Sequence, residues 1–138
     1  GEDGQKHRPI MIHRACFGSM ERFLGILTEH YAGAFPTWMA PVQVKILPIS
    51  DKHIAYAKEL AKKMHKDYVR VEVDERNEKI GYKIRQAQVA KVPYMLVVGD
   101  KEMEEGTVNV RKHGGDELGT VLFQEFFTTV KDEIKERK

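Results

Sequence analysis

The segment DERNEKIGYKIRQAQVAKVPYMLVVGDKEMEEGTVNVR, residues 74–111, decides how the rest of the chain folds. Its first half predicts a helix over 79–90. The apolar residues Ile80, Ile84 and Ala87 are spaced four and three apart, so such a helix has one apolar side to bury. The polar positions around that side are charged or amide residues. The pattern therefore predicts an amphipathic helix that packs on something apolar.

An apolar run, Tyr94–Val98, follows this helix and predicts a central strand that is buried on both faces. We predict a turn over 101–106 and a return strand over 107–111. In the return strand Val108 and Val110 alternate onto one side. The two strands should therefore pair in an antiparallel hairpin.

The segment also carries polar residues that the apolar pattern does not explain. It holds seven Lys/Arg and seven Asp/Glu, so it is neutral. A surface that only binds phosphate should be basic. A surface that recognises unstacked bases needs both hydrogen-bond donors and acceptors, and therefore both cationic and anionic side chains. On spacing alone, a solvated charged surface is the simpler explanation, because charged faces are common on soluble domains. The residues concerned are Asn77, which also stands at the expected N-cap, Arg85, Lys91, Lys101, Glu102 and Arg111.

Length and composition narrow the class of protein. The 138 residues suffice for one domain and part of another. An apolar fraction of 41% and a charged fraction of 32% fit a soluble protein, and no apolar run approaches the roughly 20 residues of a membrane helix. The polar start predicts no signal peptide. Cys16 is the only cysteine, which excludes an internal disulfide and fits a reducing compartment.

The chain before the decisive segment predicts a second unit. We predict a short strand over 8–13 and a helix over 19–30. The connector over 31–41 holds two prolines, a glycine and three aromatic residues, a composition break typical of a domain boundary. The connector should be ordered and packed. The predicted units are 1–41 and 42–138.

The second unit predicts an α/β fold. Strands are expected over 42–48 and 68–73, a helix over 52–66 capped by Asp51, and a last helix over 120–135 that covers the sheet. The order β-α-β-α-β-β-α implies parallel pairing of the first three strands. The prediction is a mixed, mainly parallel sheet flanked by helices, preceded by a separate strand and helix.

Five stretches of the chain resemble threonyl-tRNA synthetases, which are class II aminoacyl-tRNA synthetases. Motif 3 of that family is similar to residues 8–27, RPIMIHRACFGSMERFLGIL. Its crossing into the anticodon-binding domain resembles residues 32–49, AGAFPTWMAPVQVKILPI. The stretches most typical of that domain resemble DERNEKIGYKIR, VPYMLVVGDKE and GTVNVR. The resemblance implies a C-terminal part of an enzyme that joins threonine to its tRNA with ATP, with residues 1–31 as the tail of its catalytic domain.

The resemblance also implies which residues contact the anticodon. The matching positions are Asn77, Arg85, Lys91, Glu102 and Arg111. At Lys91 some members carry arginine, and lysine keeps that charge without the planar fork. A carboxylate at 102 suits the ring N–H and amino group of guanine, and the arginines suit base oxygens or phosphate. The implied partner is threonine tRNA, bound through its anticodon stem-loop, with no role for DNA or a membrane.

Cofactor sites of the family fall on the motif 3 stretch. Arg22 matches an ATP-binding arginine, and His13 matches one of three zinc ligands. The other two ligands do not appear in this chain, so we expect zinc to bind poorly or not at all, and Cys16 to be a small buried residue. ATP with Mg²⁺ and zinc belong to the parent enzyme, and no cofactor is expected here. Motifs 1 and 2 are also absent, so the expected homodimer forms through a catalytic domain outside these residues.

Two other functions are compatible with parts of the sequence. A stand-alone RNA-binding or accessory module of the same fold, without aminoacylation activity, remains an alternative. A thiol or nucleotide enzyme is disfavoured, because the chain has one cysteine, no CxxC and no glycine-rich phosphate loop after a strand. We expect a cytoplasmic protein that is not catalytically active over these residues alone.

Overall fold

Helices and strands alternate along most of the chain in the computed structural model, which describes all 138 residues. A short 3₁₀ turn, Asp51–His53, also precedes the second helix. The elements are α1 (Met20–His30), β1 (Val44–Pro48), α2 (Ile54–Lys66), β2 (Val71–Val73), α3 (Ile80–Val89), β3 (Tyr94–Val98), α4 (Asp100–Glu105), β4 (Thr107–Lys112), β5 (Glu117–Leu122) and α5 (Phe123–Glu136).

The five strands form one sheet in the order β2-β1-β3-β4-β5. β1 pairs in parallel with β2 and with β3, whereas the pairs β3–β4 and β4–β5 are antiparallel. The predicted α/β fold with a mixed sheet and flanking helices is confirmed. The sheet is mixed but not mainly parallel: β5, which the sequence did not predict, adds a second antiparallel pair, so half of the four pairings are antiparallel.

The main core lies between one face of the sheet and helices α2 and α5. Leu60 and Met64 of α2 and Phe126 and Val130 of α5 meet Leu96 and its neighbours in one buried cluster. α2 also buries Ala57 and Ala61 against the sheet. Burial of this kind contributes about 25 cal/mol per Å² of apolar surface, so this cluster supplies most of the driving force for folding.

A smaller cluster lies on the opposite face, which we call the α3 face. Ala87 of α3 packs against Leu47 of β1 and Met95 of β3, with Ile80 and Ile84 beside them. The predicted apolar side of α3 is therefore confirmed. Beyond Thr107, the residues of β4 and β5 on this face are polar and half-exposed or exposed, so this part of the face stays open to solvent; they are Asn109, Arg111, Glu117 and Thr120.

The region before the connector differs from its prediction. Residues 8–13 form no strand, and the side chains of Ile10, Met11 and Ile12 are 92%, 79% and 86% exposed. A strand needs a partner for its backbone groups, and none is available here. α1 is present with Ser19 as its N-cap but buries no residue. Cys16 is exposed, so its predicted burial is wrong.

The turn predicted over 101–106 is wrong, because these residues lie mostly in α4. The Glu102 carboxylate accepts a hydrogen bond from the Gly99 N–H at 2.9 Å, which closes the first turn of this short helix. Gly106 ends the helix at φ +67°, a left-handed conformation that glycine adopts without strain.

Other boundaries also shift. Lys79, not Asn77, is the N-cap of α3. The strand predicted over 68–73 shortens to β2, and a 3₁₀ turn that starts after Ser50 precedes α2. Residues 117–122 form β5, so the last helix begins at Phe123. That helix does cover the sheet, as predicted.

The connector packs on the second unit, as predicted. Glu133 of α5 accepts hydrogen bonds from the Thr37 hydroxyl at 2.8 Å and the Tyr94 hydroxyl at 2.7 Å. Arg70 donates to the carbonyls of Ala40 and Trp38 at 2.9 and 2.8 Å. No helix in the structure combines the length and the apolar composition needed to cross a lipid bilayer.

Candidate nucleic-acid interface

Strand register assigns the side chain of Arg111 to the α3 face. Arg111 lies opposite Met95 in the β3–β4 pair, and Met95 packs beneath α3. Residues directly opposite one another point to the same side of a sheet. Asn109 is opposite Val97 and therefore shares this face. The open half of the face thus carries one guanidinium and one amide.

Arg85 lies on the exposed surface of α3. Lys83, two residues earlier, reaches the Pro48 and Asp74 carbonyls at 3.0 and 3.1 Å, on the β1–β2 side of the helix. Side chains two residues apart diverge by about 160° around a helix with 3.6 residues per turn. Arg85 therefore points away from β2 and toward solvent.

Asn77 stands in the loop between β2 and α3, and a buried carboxylate fixes the start of this loop. The Asp74 carboxylate accepts from the Arg76 guanidinium at 2.8 and 2.6 Å and from the Arg76 backbone N–H at 3.3 Å. Hydrogen bonding by Arg76 holds the pKa of Asp74 below its ordinary value of 3.8. Lys83 binds the Asp74 carbonyl, so the loop is tied to α3 as well. Asn77 itself is exposed.

Glu102 lies at the same edge of the sheet as Asn77. α4 follows the carboxyl end of β3, and the Asn77 loop follows the carboxyl end of β2, and both strands run parallel to β1. One Glu102 oxygen, Oε2, is engaged by the Gly99 N–H. A Cβ on Gly99 would lie 3.1 Å from that oxygen and 2.8 Å from the Ile49 Cδ1. Gly99 is therefore what lets the carboxylate approach the backbone, and Oε1 remains as an acceptor.

A buried histidine joins α4 to the start of α2. The Nε2 of His53 lies 3.0 Å from the Asp100 Oδ1, and its Nδ1 lies 3.2 Å from the Ser50 backbone nitrogen. Because Nδ1 accepts from that N–H, Nε2 carries the proton and donates to Asp100. This bond lowers the pKa of Asp100. The contact fixes the first residue of the helix that carries Glu102.

Arg111 is held from the neighbouring strand. Its Nη2 lies 2.6 Å from the Glu117 Oε1, and its Nε is buried without a hydrogen-bond partner. Arg111 is four residues along β4 from Thr107, which follows α4, so it lies about 13 Å from the Glu102 edge at 3.3 Å per residue. Asn77 and Glu102 thus lie at the carboxyl edge of the α3 face, whereas Arg111 lies on this face toward its opposite edge. Arg85 lies on the exposed side of α3.

Lys91 is not brought together with Asn77 and Glu102. It precedes β3, whereas α4 follows β3, so Lys91 and Glu102 lie at opposite edges of the sheet. Its ammonium group donates to the Ala32 carbonyl of the connector, and its side chain also lies against Gly33. Lys101 is exposed on α4. The geometry gives Lys91 a role in holding the connector.

The two residues matched to cofactor binding lie far from this face in sequence and structure. Arg22 is exposed in the first turn of α1, and its backbone N–H donates to the Ser19 hydroxyl at 3.3 Å. His13 is exposed in the irregular segment before α1. No cluster of three His, Cys, Asp or Glu residues in the chain is arranged to hold a metal ion.

The exposed side of α2 carries a basic surface, which is an alternative candidate for RNA binding. Lys58, Lys62, Lys63 and Lys66 are exposed there. Lys58 pairs with Glu75 at 2.8 Å and Lys63 with Glu59 at 2.8 Å. These pairs reduce the positive field that an RNA backbone would meet.

Sequence reasoning missed the residues that support the site: Asp74 with Arg76, Lys83, the His53–Asp100 pair, and Glu117. For Lys83 a signal was present. It falls three residues after Ile80 and four before Ala87, on the inward side of α3, and it is 3% exposed. The remaining supporting residues gave no signal, because their partners are distant in sequence or because their positions follow no helical or strand periodicity. The assembled face offers guanidinium and amide donors beside carboxylate and amide acceptors, which is what hydrogen bonding to base edges requires.

Comparisons with known proteins agree with this fold. A family model described as "Anticodon binding domain" matches residues 43–133. Threonine–tRNA ligases from Desulforamulus reducens and Clostridium novyi are each 60% identical over 137 residues, covering 99% of this chain. The chain spans only 22% of the length of these relatives. The solved RNA binding domain of threonyl-tRNA synthetase from Cryptosporidium parvum Iowa II superposes with a TM-score of 0.78 at 28% identity, over 83% of this chain and 29% of that one.

Proposed function

The chain belongs to the anticodon-binding domain family, in its threonyl-tRNA synthetase branch, and from that premise we propose that the α3 face reads the anticodon of threonine tRNA. The observation that supports the proposal most is the mixed chemistry of this face. Arg85 and Arg111 supply donors, Glu102 supplies an acceptor and Asn77 supplies both. A phosphate-binding surface would need only the cations.

Each residue has a role that its surroundings suit. The free Oε1 of Glu102 accepts from the ring N–H and amino group of an unstacked guanine, while Oε2 stays on the Gly99 N–H. Arg85 and Arg111 donate to base oxygens or phosphate, and Asn77 completes the edge of a second base. Lys91 stays outside this set, because it binds the connector. The carboxylate is thus the group that selects for guanine.

The proposed setting is the complete ligase, which joins threonine to its tRNA with ATP and Mg²⁺. In it we assign residues 1–41 to the catalytic unit and connector, with Arg22 toward ATP, and residues 42–138 to anticodon binding. The enzyme is cytoplasmic and dimerises through its catalytic domain. His13 alone does not make a zinc site, because the chain has no cluster of ligands around it. These residues therefore supply no metal chemistry by themselves.

Substitution of Glu102 by glutamine tests the proposal. Glutamine keeps an oxygen for the Gly99 N–H, so the cap of α4 survives, but its amide group replaces one acceptor with a donor. Affinity is measured for an RNA hairpin with a threonine anticodon and for one whose middle guanine is changed to adenine. We expect Glu102→Gln to weaken only the guanine hairpin, by about 1–3 kcal/mol.

Glu105→Gln is the matched control. Glu105 is exposed on the same helix, and its substitution removes the same charge without touching the cap. It should change binding of both hairpins equally and slightly. Equal weakening of both hairpins by Glu102→Gln would mean that this carboxylate does not read the base, and the proposal would fail.

A further inference from the structure

A β-bulge at the start of β5 places Glu117 beside Arg111. Along β4 and β5 the pairs are Val108 with Val121, Asn109 with Thr120 and Val110 with Gly119; Arg111 then pairs with Glu117. Leu118 is the extra residue, because one step along β4 matches two steps along β5. Gly119 adopts φ +81°, a conformation that glycine tolerates and that bulges use.

Without the bulge, the salt bridge to Arg111 would not form. Regular pairing would set Leu118 opposite Arg111, and Glu117 would point to the other face of the sheet. Instead, Leu118 lies with Val110 and Phe126 in a cavity on the α5 side. The bulge therefore turns an acidic side chain onto the α3 face, next to a guanidinium.

The contact leaves a defined part of Arg111 free. Its Nη2 lies 2.6 Å from the Glu117 Oε1 in an ion pair, and its Nε is buried without a hydrogen-bond partner. The side chain of Arg111 is 30% exposed and that of Glu117 is 56% exposed. The solvent-facing donors are thus the remaining Nη hydrogens of a planar guanidinium that is anchored at one end by the carboxylate.

We propose that Glu117 is a positioning residue that fixes the Arg111 guanidinium for a hydrogen bond to one anticodon base. The inference rests on the proposed function and extends it to a residue on a different strand. A guanidinium held in place loses less conformational freedom when it binds, and it favours a base whose acceptor lies in the right direction. A freely rotating arginine would bind phosphate and any base with similar strength.

Charge and positioning make opposite predictions for the loss of Glu117. If the carboxylate only neutralises Arg111, its removal strengthens binding to every RNA, because attraction to phosphate increases. If it positions Arg111, its removal lowers the preference for the correct base, whatever happens to overall affinity. The ratio of affinities for matched and altered hairpins separates the two roles.

The test uses the 138-residue chain and hairpins altered at each anticodon base in turn. Arg111→Ala first identifies the base that Arg111 reads, as the one at which discrimination is lost. Glu117→Ala should lower discrimination at that same base by about five- to tenfold, the lower end of the range expected for the loss of one specific contact. Glu117→Gln, which keeps an acceptor oxygen, should restore part of this loss. In the Arg111→Ala background, Glu117→Ala should add nothing.

Asp116→Asn is the matched control. Asp116 is exposed in the same hairpin, so its substitution removes one negative charge without contacting Arg111. It should leave the discrimination ratio unchanged. Unaltered discrimination in Glu117→Ala, or an equal loss in the Arg111→Ala background, would overturn the inference. If Arg111→Ala itself spares discrimination at every base, the proposed role of Arg111 fails instead, and with it the premise of this inference.

Discussion

Helices α1 and α2 are both amphipathic, yet they have different fates in this molecule. α2 buries Ala57, Leu60, Ala61 and Met64 against the sheet, whereas α1 buries no residue. Ile26 and Leu24 of α1 are 58% and 54% exposed. An apolar side shows that a helix has apolar surface to bury. Whether that surface is buried depends on whether another element packs against it. Among these 138 residues α2 has a partner, and α1 has none.

The largest difference should appear in amide hydrogen exchange. The strands β1 and β3 should open only with global unfolding, at about 5–15 kcal/mol, whereas residues 8–30 should exchange close to unfolded rates. The measurement is exchange of the 138-residue chain followed by mass spectrometry or NMR. Similar protection in both regions would show that α1 has a packing partner within this chain.

Two leucine substitutions sharpen the same contrast. Leu96→Ala should lower the free energy of unfolding by about 2–5 kcal/mol, because Leu96 is fully buried in the main core. Leu24→Ala on α1 should change it by less than about 0.5 kcal/mol. Urea denaturation of both variants measures the difference. A large effect at Leu24 would contradict the unpacked state of α1.

Substitution of Glu133 tests whether the connector, residues 31–41, is part of the packed structure. Glu133→Ala removes the acceptor for the Thr37 and Tyr94 hydroxyls and should cost about 1–3 kcal/mol, because buried donors are left unpaired. Glu136→Ala, at an exposed position of the same helix, is the control. Proteolysis within the connector should accelerate only in the first variant. Equal behaviour of the two variants would mean that Glu133 does not hold the connector.

A smaller effect is expected from acid. Arg76 lowers the pKa of Asp74, so this pair stabilises the folded chain fully above pH 3.8, and that stability is lost as the pH falls through the lowered pKa. The Arg76 side chain is half exposed, so solvent screens the ion pair, and its contribution to the free energy of unfolding is about 0.5–1 kcal/mol. Asp74→Asn should remove this part of the pH dependence. Identical acid titrations of the two proteins would rule it out.

Long periodic elements were predictable from the sequence, and short ones were not. α3 and β3 follow from apolar spacing and from a continuous apolar run. α4 was not predicted, because its six residues show no helical periodicity of apolar side chains and its start depends on the Glu102 contact with Gly99. β5 was not predicted, because glycine and polar residues interrupt its alternation of apolar and polar side chains. The strand over 8–13 failed for the opposite reason, because its pattern was suitable but it had no partner.

The candidate site divides in the same way. Its charged residues were visible as positions that the apolar pattern left over, together with the family resemblance. The groups that hold them were not visible, because Asp100 meets His53 across 47 residues and Glu117 reaches Arg111 only through a bulge. The residues proposed to contact bases followed from the family resemblance, whereas the groups that support them depend on the fold.

The most direct test of the reading face is an NMR titration of the chain with the threonine anticodon hairpin. We expect shifted resonances at Asn77, Arg85, Glu102 and Arg111, and clearly weaker binding when the middle base is changed. We expect no comparable shifts along the exposed lysines of α2. Shifts confined to α2, with the same affinity for both hairpins, would show that the α3 face does not read the anticodon.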